Sequence, residues 1–240
     1  MIMTYQLKGV SMCGRLNVTD DPFVSSLMEG LGISLSDVKP IYNRYLGAAH
    51  KISIIREVEG ERRLDNAIWW LLLEKANGGF KPSKYTSFNT RYDKLNVPRS
   101  AGYKAFRESR CIIMASGFGE TEGKGAKARY HDFFAQDAAI AFGGLCREWV
   151  NQDSGDITLS CSIITIPPHE KIKPFHTKAS PLMLPQDDDT MDLWLDSSFN
   201  KVEVFNDLLE PHLPQNLLVQ QIDKPSIHAP LGEKVLIQAD

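Results

Sequence analysis

Residues 110–120, RCIIMASGFGE, constrain the fold of this chain more than any other stretch. Residues 111–116 read as a strand that runs straight into Gly117, Phe118, Gly119 and Glu120. Glycines this closely spaced beside a strand predict a tight turn or a close approach of backbone. They also leave room for a ligand beside the acid.

The rest of the chain supplies more strands than helices. Strands are expected at 51–58, 63–73, 111–116, 138–145, 158–165 and 217–222, and the stretch 85–91 (YTSFNTR) is strand-like. Asp21-Pro22 reads as the N-cap and first position of a helix whose Phe23, Leu27 and Leu31 share a face and which Gly30 and Gly32 end. Further helices are expected at 103–108, 191–195 and 202–209. Residues 39–43 (KPIYN) are extended, Gly78-Gly79 with Pro82 marks a loop, and 123–127 reads as a hairpin loop. No repeat, low-complexity block or linker divides the chain. Many strands with few, short helices predict one β-rich α+β domain with short peripheral helices.

With 240 residues, 42% apolar and 24% charged, the chain can bury a proper core. No apolar run approaches the roughly 20 residues of a membrane helix. Residues 1–11 (MIMTYQLKGVS) lack the apolar core of a secretory signal. The four cysteines, Cys13, Cys111, Cys146 and Cys161, form no CxxC pair, which excludes a zinc knuckle and a dithiol redox motif. Together these features predict a reducing cytoplasm and no metal or organic cofactor. The net charge of −3 hides an asymmetry: residues 1–130 carry +7 and residues 131–240 carry −10. A basic first half fits a phosphate-binding face, although segregated solvated charge gives the same count.

Cys13 follows Met12 directly. If Met12 is the true start, its removal leaves an N-terminal cysteine with a free α-amine beside a thiol. That pair condenses with an aldehyde to an imine, which the thiol closes to a thiazolidine. The α-amine has a reference pKa of about 7.7–8.0, so a useful fraction is unprotonated near neutrality. Lys8-Gly9 is encoded AAR-GGN, which places a purine-rich stretch, like a ribosome-binding site, just before the Met12 codon. Residues 1–12 are therefore expected to be absent from the active protein, with the domain spanning 13–240. An ordinary buried cysteine behind a short tail is the other reading.

Singly, the other polar candidates say little. Asn89 in an aromatic strand is most simply a satisfied hydrogen-bonding residue, and Glu120 is most simply solvated. His176 competes with His50, His131, His169, His212 and His228. Arg15 and Arg91 can pair with surface carboxylates. Trp69-Trp70 most economically belongs to the core, although aromatics beside arginine also stack on unpaired bases.

In order, the chain carries MCGR at 12–15, PIYN at 40–43, FNTR at 88–91, RCIIMASGFGE at 110–120, AFGGLCREW at 141–149, SCSIIT at 160–165 and FHTKASPLML at 175–184. This series, across residues 12–195, resembles the SRAP family, the SOS response-associated peptidases, which crosslink themselves to abasic sites in single-stranded DNA. The resemblance implies that Met12 is the initiator and that Cys13 traps the ring-opened sugar aldehyde. It implies that Asn89 holds the cysteine backbone or the opened sugar. Glu120 would be the general acid and base. His176 would bond the sugar oxygen or phosphate and assist Schiff-base formation or reversal. Arg15 and Arg91 would clamp flanking phosphates as guanidinium forks, and Lys178, Asn43 and Trp69 would contact the strand. The implied partner is single-stranded DNA with an abasic site, and nothing in the sequence demands more than a monomer. The peptidase label would correspond to autoproteolytic exposure of Cys13.

The chain departs from the family pattern in several places. GFGET replaces GFYEW and removes two aromatics beside the acid, WWLLLE replaces a WGLIP-type segment, and Met114 stands where proline is common. HTKASP has one extra residue between histidine and proline, with Lys178 in place of arginine. Two other functions use parts of the same constellation. An N-terminal-nucleophile amidohydrolase would use the Cys13 thiolate but neither arginine. A non-covalent single-strand-binding module would keep Cys13 for structure only.

Overall fold

A computed structural model describes residues 14–34, 36 and 39–240, so Cys13 and the segment before it lie outside the described residues. The chain begins with β1 (Arg15–Val18), α1 (Pro22–Gly30), β2 (Asn43–Gly47), β3 (Lys51–Val58) and β4 (Glu61–Trp69). It continues through β5 (Leu73–Ala76), β6 (Gly79–Pro82), β7 (Asn89–Arg91), α2 (Tyr103–Glu108), β8 (Arg110–Ala115) and β9 (Gly117–Glu122). Next come β10 (Arg129–Ala135), β11 (Ile140–Val150), β12 (Ile157–Ile166) and β13 (Ser180–Pro181). The last elements are α3 (Asp188–Leu195), β14 (Leu217–Ile222) and β15 (Val235–Ile237). The α+β reading with one domain holds.

Five strands close into a barrel in the order β11-β8-β3-β4-β12, and β12 returns to pair with β11. A second sheet runs β15-β14-β10-β9-β1-β2. The two are continuous through one residue. β8 leaves the barrel at Ser116 and enters the second sheet as β9, while the Ser116 N–H donates to the Asn17 carbonyl (2.9 Å).

This crossing explains why RCIIMA is apolar without alternation. Every residue of β8 is buried. Cys111, Ile113 and Ala115 join a core shared with Leu16, Phe118 and Phe133 of the second sheet. Ile112 and Met114 face the opposite way, into a core beneath α1, α2 and α3. A strand buried on both faces needs apolar residues at every position.

The first helix is N-capped as expected: the Asp21 carboxylate accepts from the Phe23 and Val24 backbone N–H groups (3.0 and 2.9 Å). Its buried face, however, is Val24, Leu27 and Met28, with Phe23 at 42% exposure. The strand expected at 63–73 ends at Trp69, and Leu73 starts the separate β5–β6 hairpin around Gly78-Gly79. Residues 202–209 form two short 3-10 turns in place of an α-helix, closed by bonds such as Asn206 N–H to the Glu203 carbonyl (3.1 Å). These turns still set Phe205 against Trp194, with ring centroids 5.0 Å apart.

Arg110 ties the helical side to the barrel. Its buried guanidinium donates to the carbonyls of Trp194 (2.7 Å), Phe106 (2.9 Å), Asp196 (2.7 Å) and Phe199 (2.8 Å). Burial pulls its pKa down to about 10, with Asp196 and Glu57 opposing the shift. Arg110→Ala is expected to cost about 3 kcal/mol, since it strands several carbonyls without their charged donor. Urea unfolding at neutral pH measures that loss.

Candidate active site

Glu120 lies on β9 and is 2% exposed. Its cross-strand neighbour on β10 is His131, and both share a face with Phe118 and Phe133, which stack at 4.7 Å. His176 comes from the turn between β12 and β13. That turn is closed by its own N–H to the Ile172 carbonyl (3.0 Å), and Phe175 is seated edge-on against His131 at 5.5 Å. His176 is wholly buried between two acids. Its Nε2 stands 3.4 Å from Glu120 Oε2 and its Nδ1 stands 3.4 Å from Glu122 Oε2. Glu120 and His176, 56 positions apart in the chain, are thus neighbours in the fold.

The electrostatics favour a neutral imidazole. Burial pushes the His176 pKa down to about 4, outweighing the pull of Glu122, and Lys178 and His131 act with burial. His131 is likewise lowered, first by burial and then by Arg129. Burial alone would raise Glu122, but the Thr177 N–H (3.0 Å) and hydroxyl (3.2 Å) donate to it and hold its pKa below the usual range. A carboxylate and an uncharged imidazole at 3.4 Å are both proton acceptors, so the pair can take a proton from a bound group and return it later.

The other expected site residues are distributed as follows. Asn89 is half-buried on β7, in a groove of about 380 Å³ whose walls include Tyr85, Arg91, Lys94 and Ser100. Arg91 is exposed and its guanidinium holds Asp93 through Nε and Nη2 (both 2.9 Å). Asn43 is exposed at the start of β2, and Lys178 is half-buried near the His176–Glu122 pair.

Two expectations need correction. Trp69 is 0% exposed, and its indole N–H donates to the Phe88 carbonyl (2.8 Å), so it presents no face to a nucleic acid. Arg15 is 5% exposed and ion-paired with Asp132 of β10, so its guanidinium is not available as a phosphate clamp.

The GFGET departure also lies elsewhere than its position in the sequence suggests. Gly119 pairs with Arg15 and Asp132, on the face of β9 opposite Glu120. The two missing aromatics, at 119 and 121, therefore alter the back of the sheet and not the acid's own face. Sequence reasoning missed Glu122, His131 and Asp132. Glu122 carried a signal, because two residues along a strand returns to the face of Glu120. His131 and Asp132 had none, because YHDFF does not alternate and β10 went unpredicted. Among the described residues no cluster of three or more His, Cys, Asp or Glu side chains could hold a metal ion. Nor is any helix among them long and apolar enough to cross a membrane.

The His176 shift has a sign that can be checked. Above pH 6.5, its ordinary value, the ring is neutral in both folded and unfolded chains. Below it the unfolded chain takes up a proton that the folded one refuses until about pH 4, so stability falls as pH falls across that window. His176→Gln should lose about 2 kcal/mol less stability than the parent between pH 7 and pH 4.5. Denaturant unfolding of both proteins at the two pH values reads this difference.

A profile of the SOS response associated peptidase (SRAP) family matches residues 12–225. Among solved structures, a protein from Bacteroides thetaiotaomicron is similar, with a TM-score of 0.64 and 19% identity over 88% of this chain and 93% of that one. A protein from Bordetella bronchiseptica gives a TM-score of 0.64 and 17% identity over 88% of this chain and all of its own. A phage-related protein from the same organism gives 0.62 and 16% over 91% of this chain and all of its own. These likenesses establish a shared fold. No curated protein matches the chain.

Proposed function

The chain belongs to the SOS response associated peptidase family, and from that premise we propose that it forms a covalent thiazolidine with abasic sites in single-stranded DNA through Cys13. The observation that carries this reading is the buried pair of Glu120, on β9, with His176, one position beyond the Gly119 that pairs with Arg15 of β1. The β1–β9 register steps from Asn17 and Gly117 through Leu16 and Phe118 to Arg15 and Gly119, so each residue toward Cys13 is a step toward Glu120.

The reaction balances without a cofactor. The free α-amine of Cys13 attacks the aldehyde carbon of the ring-opened sugar, and a C–N bond forms as the carbonyl oxygen takes a proton. Loss of water gives the imine. The Cys13 thiolate then adds to the imine carbon, a C–S bond closes the five-membered ring, and the nitrogen takes a proton. Glu120 relays the proton from the amine to the departing hydroxyl. Neutral His176 bonds the sugar oxygen and shares the proton transfers with Glu120. Asn89, from its groove, orients the opened sugar. Arg91 and Lys94 line that groove and supply positive charge for the flanking phosphates. The chemistry requires that the residues before Cys13 be removed, by methionine excision or autoproteolysis.

The test is incubation of the purified protein with an oligonucleotide carrying one abasic site, followed by denaturing electrophoresis and intact-mass measurement. The expected result is an adduct that survives denaturation and maps to a peptide beginning at Cys13. It is absent from Cys13→Ala, and forms about a hundredfold more slowly in Glu120→Gln. DNA retained equally by the parent and Cys13→Ala, with no covalent mass, would instead identify a non-covalent binding module. Hydrolysis of an amide that ignores DNA would identify an amidohydrolase.

A further inference from the structure

Arg15, Asp132 and His228 form a second assembly on the far face of β9. Arg15 leaves β1 and crosses β9 over Gly119, where an added Cβ would stand 1.9–2.1 Å from guanidinium atoms. It ends on Asp132 of β10, and also donates to the His131 carbonyl (3.3 Å). Arg15, Gly119 and Asp132 are successive cross-strand partners, so the side chain runs straight across three strands. Behind it, His228 Nδ1–H donates to the other Asp132 oxygen (3.2 Å). His228 sits at φ 62°, held by its N–H on the Lys224 carbonyl (2.9 Å) and by an edge contact with Tyr45 at 6.4 Å. A non-glycine residue in that conformation persists only where its surroundings hold it. The side chains of Arg15, Asp132 and His228 are 6%, 1% and 8% exposed, so this is a closed anchor and not a docking surface.

We propose that Asp132 is a positioning residue for the Cys13 nucleophile: through Arg15 it fixes where the chain leaves the sheet toward Cys13. The inference rests on the thiazolidine reading. Only Gly14 separates Cys13 from Arg15, and glycine gives no steric direction of its own. The Gly14 carbonyl accepts from the Ala48 N–H (3.3 Å) and Arg15 pairs with Gly47 and Gly119, so ladders hold β1 in the sheet while the Arg15 side chain pins its first residue from across β9. An amine that must meet an aldehyde carbon at about 3–3.5 Å loses rate steeply when its base shifts by about 1 Å. Gly119 is the second requirement of the anchor, because any Cβ there occupies the guanidinium's path.

The experiment is single-turnover crosslinking over a range of abasic oligonucleotide concentrations with the parent, Asp132→Asn, Gly119→Ala and their double variant. Both single variants are expected to lower the saturating rate at least about tenfold. They should leave the half-saturating DNA concentration within roughly twofold. The double variant should lose no more than the worse single one, since both release the same guanidinium. Asp132→Glu, which keeps a carboxylate for Arg15, should recover part of the rate. His228→Asn removes only the rear contact at a backbone angle that asparagine accepts, and gives a smaller loss in the same direction if the buried variants fail to fold. Unchanged saturating rates in folded variants overturn the proposal. So does a loss confined to the half-saturating concentration, which would make Arg15 a DNA contact. A parent protein that forms no adduct overturns the thiazolidine reading and this inference with it.

Discussion

The architecture depends on β12, the strand at which the barrel closes. It pairs antiparallel with β11 from Gly144↔Ile163 to Val150↔Ile157, and parallel with β4 at Ser160↔Ile68 and Cys161↔Trp69. Its C-terminal half then takes β7 in parallel and β13 antiparallel. Closure satisfies backbone groups that an open sheet would leave at an edge. It also positions the candidate residues. β7 presents Asn89 opposite Ile163, and the turn that follows β12 delivers His176. β8, in the same barrel wall, continues through Ser116 into β9 and Glu120. Residues far apart in the chain therefore rest on one closed frame.

The two faces of β9 divide the work. One carries Glu120 toward His176 and Glu122, where burial keeps the imidazole neutral beside its carboxylates. The other carries Gly119 beneath a buried Arg15–Asp132 ion pair. Desolvating such a pair offsets much of its attraction, so it contributes little net stability while intact. Losing one partner costs about 3–5 kcal/mol because a lone charge stays buried. An arrangement of this kind suits precise placement of β1 better than general stabilisation.

Strong local patterns were legible in the sequence and others were not. The extent of Lys51–Val58 and Leu217–Ile222 follows from their apolar runs and flanking breakers. The Asp21-Pro22 helix start follows from capping chemistry. By contrast β10 was invisible, because buried His131 and Asp132 interrupt its apolar residues for reasons that lie on neighbouring strands. The break between β4 and β5 was hidden by the unbroken apolar stretch 67–73, since Trp70 and Leu71 are buried without continuing the ladder: the Leu71 N–H turns to the Ser87 carbonyl (3.0 Å). Glycine spacing at 117 and 119 announced a close approach, but not that the approaching groups are the Phe133 carbonyl and the Arg15 side chain.

By itself the sequence determined the strand-rich α+β class and the order of the family's blocks. Those depend on residue type and local spacing, which a linear chain displays. Only the tertiary structure decided that Trp69 is core, that Arg15 spends its charge on Asp132, and that His176 lies between Glu120 and Glu122. Burial and charge pairing are set by what lies across the sheet, and the acids that face Arg15 and His176 come from stretches of chain more than fifty residues away.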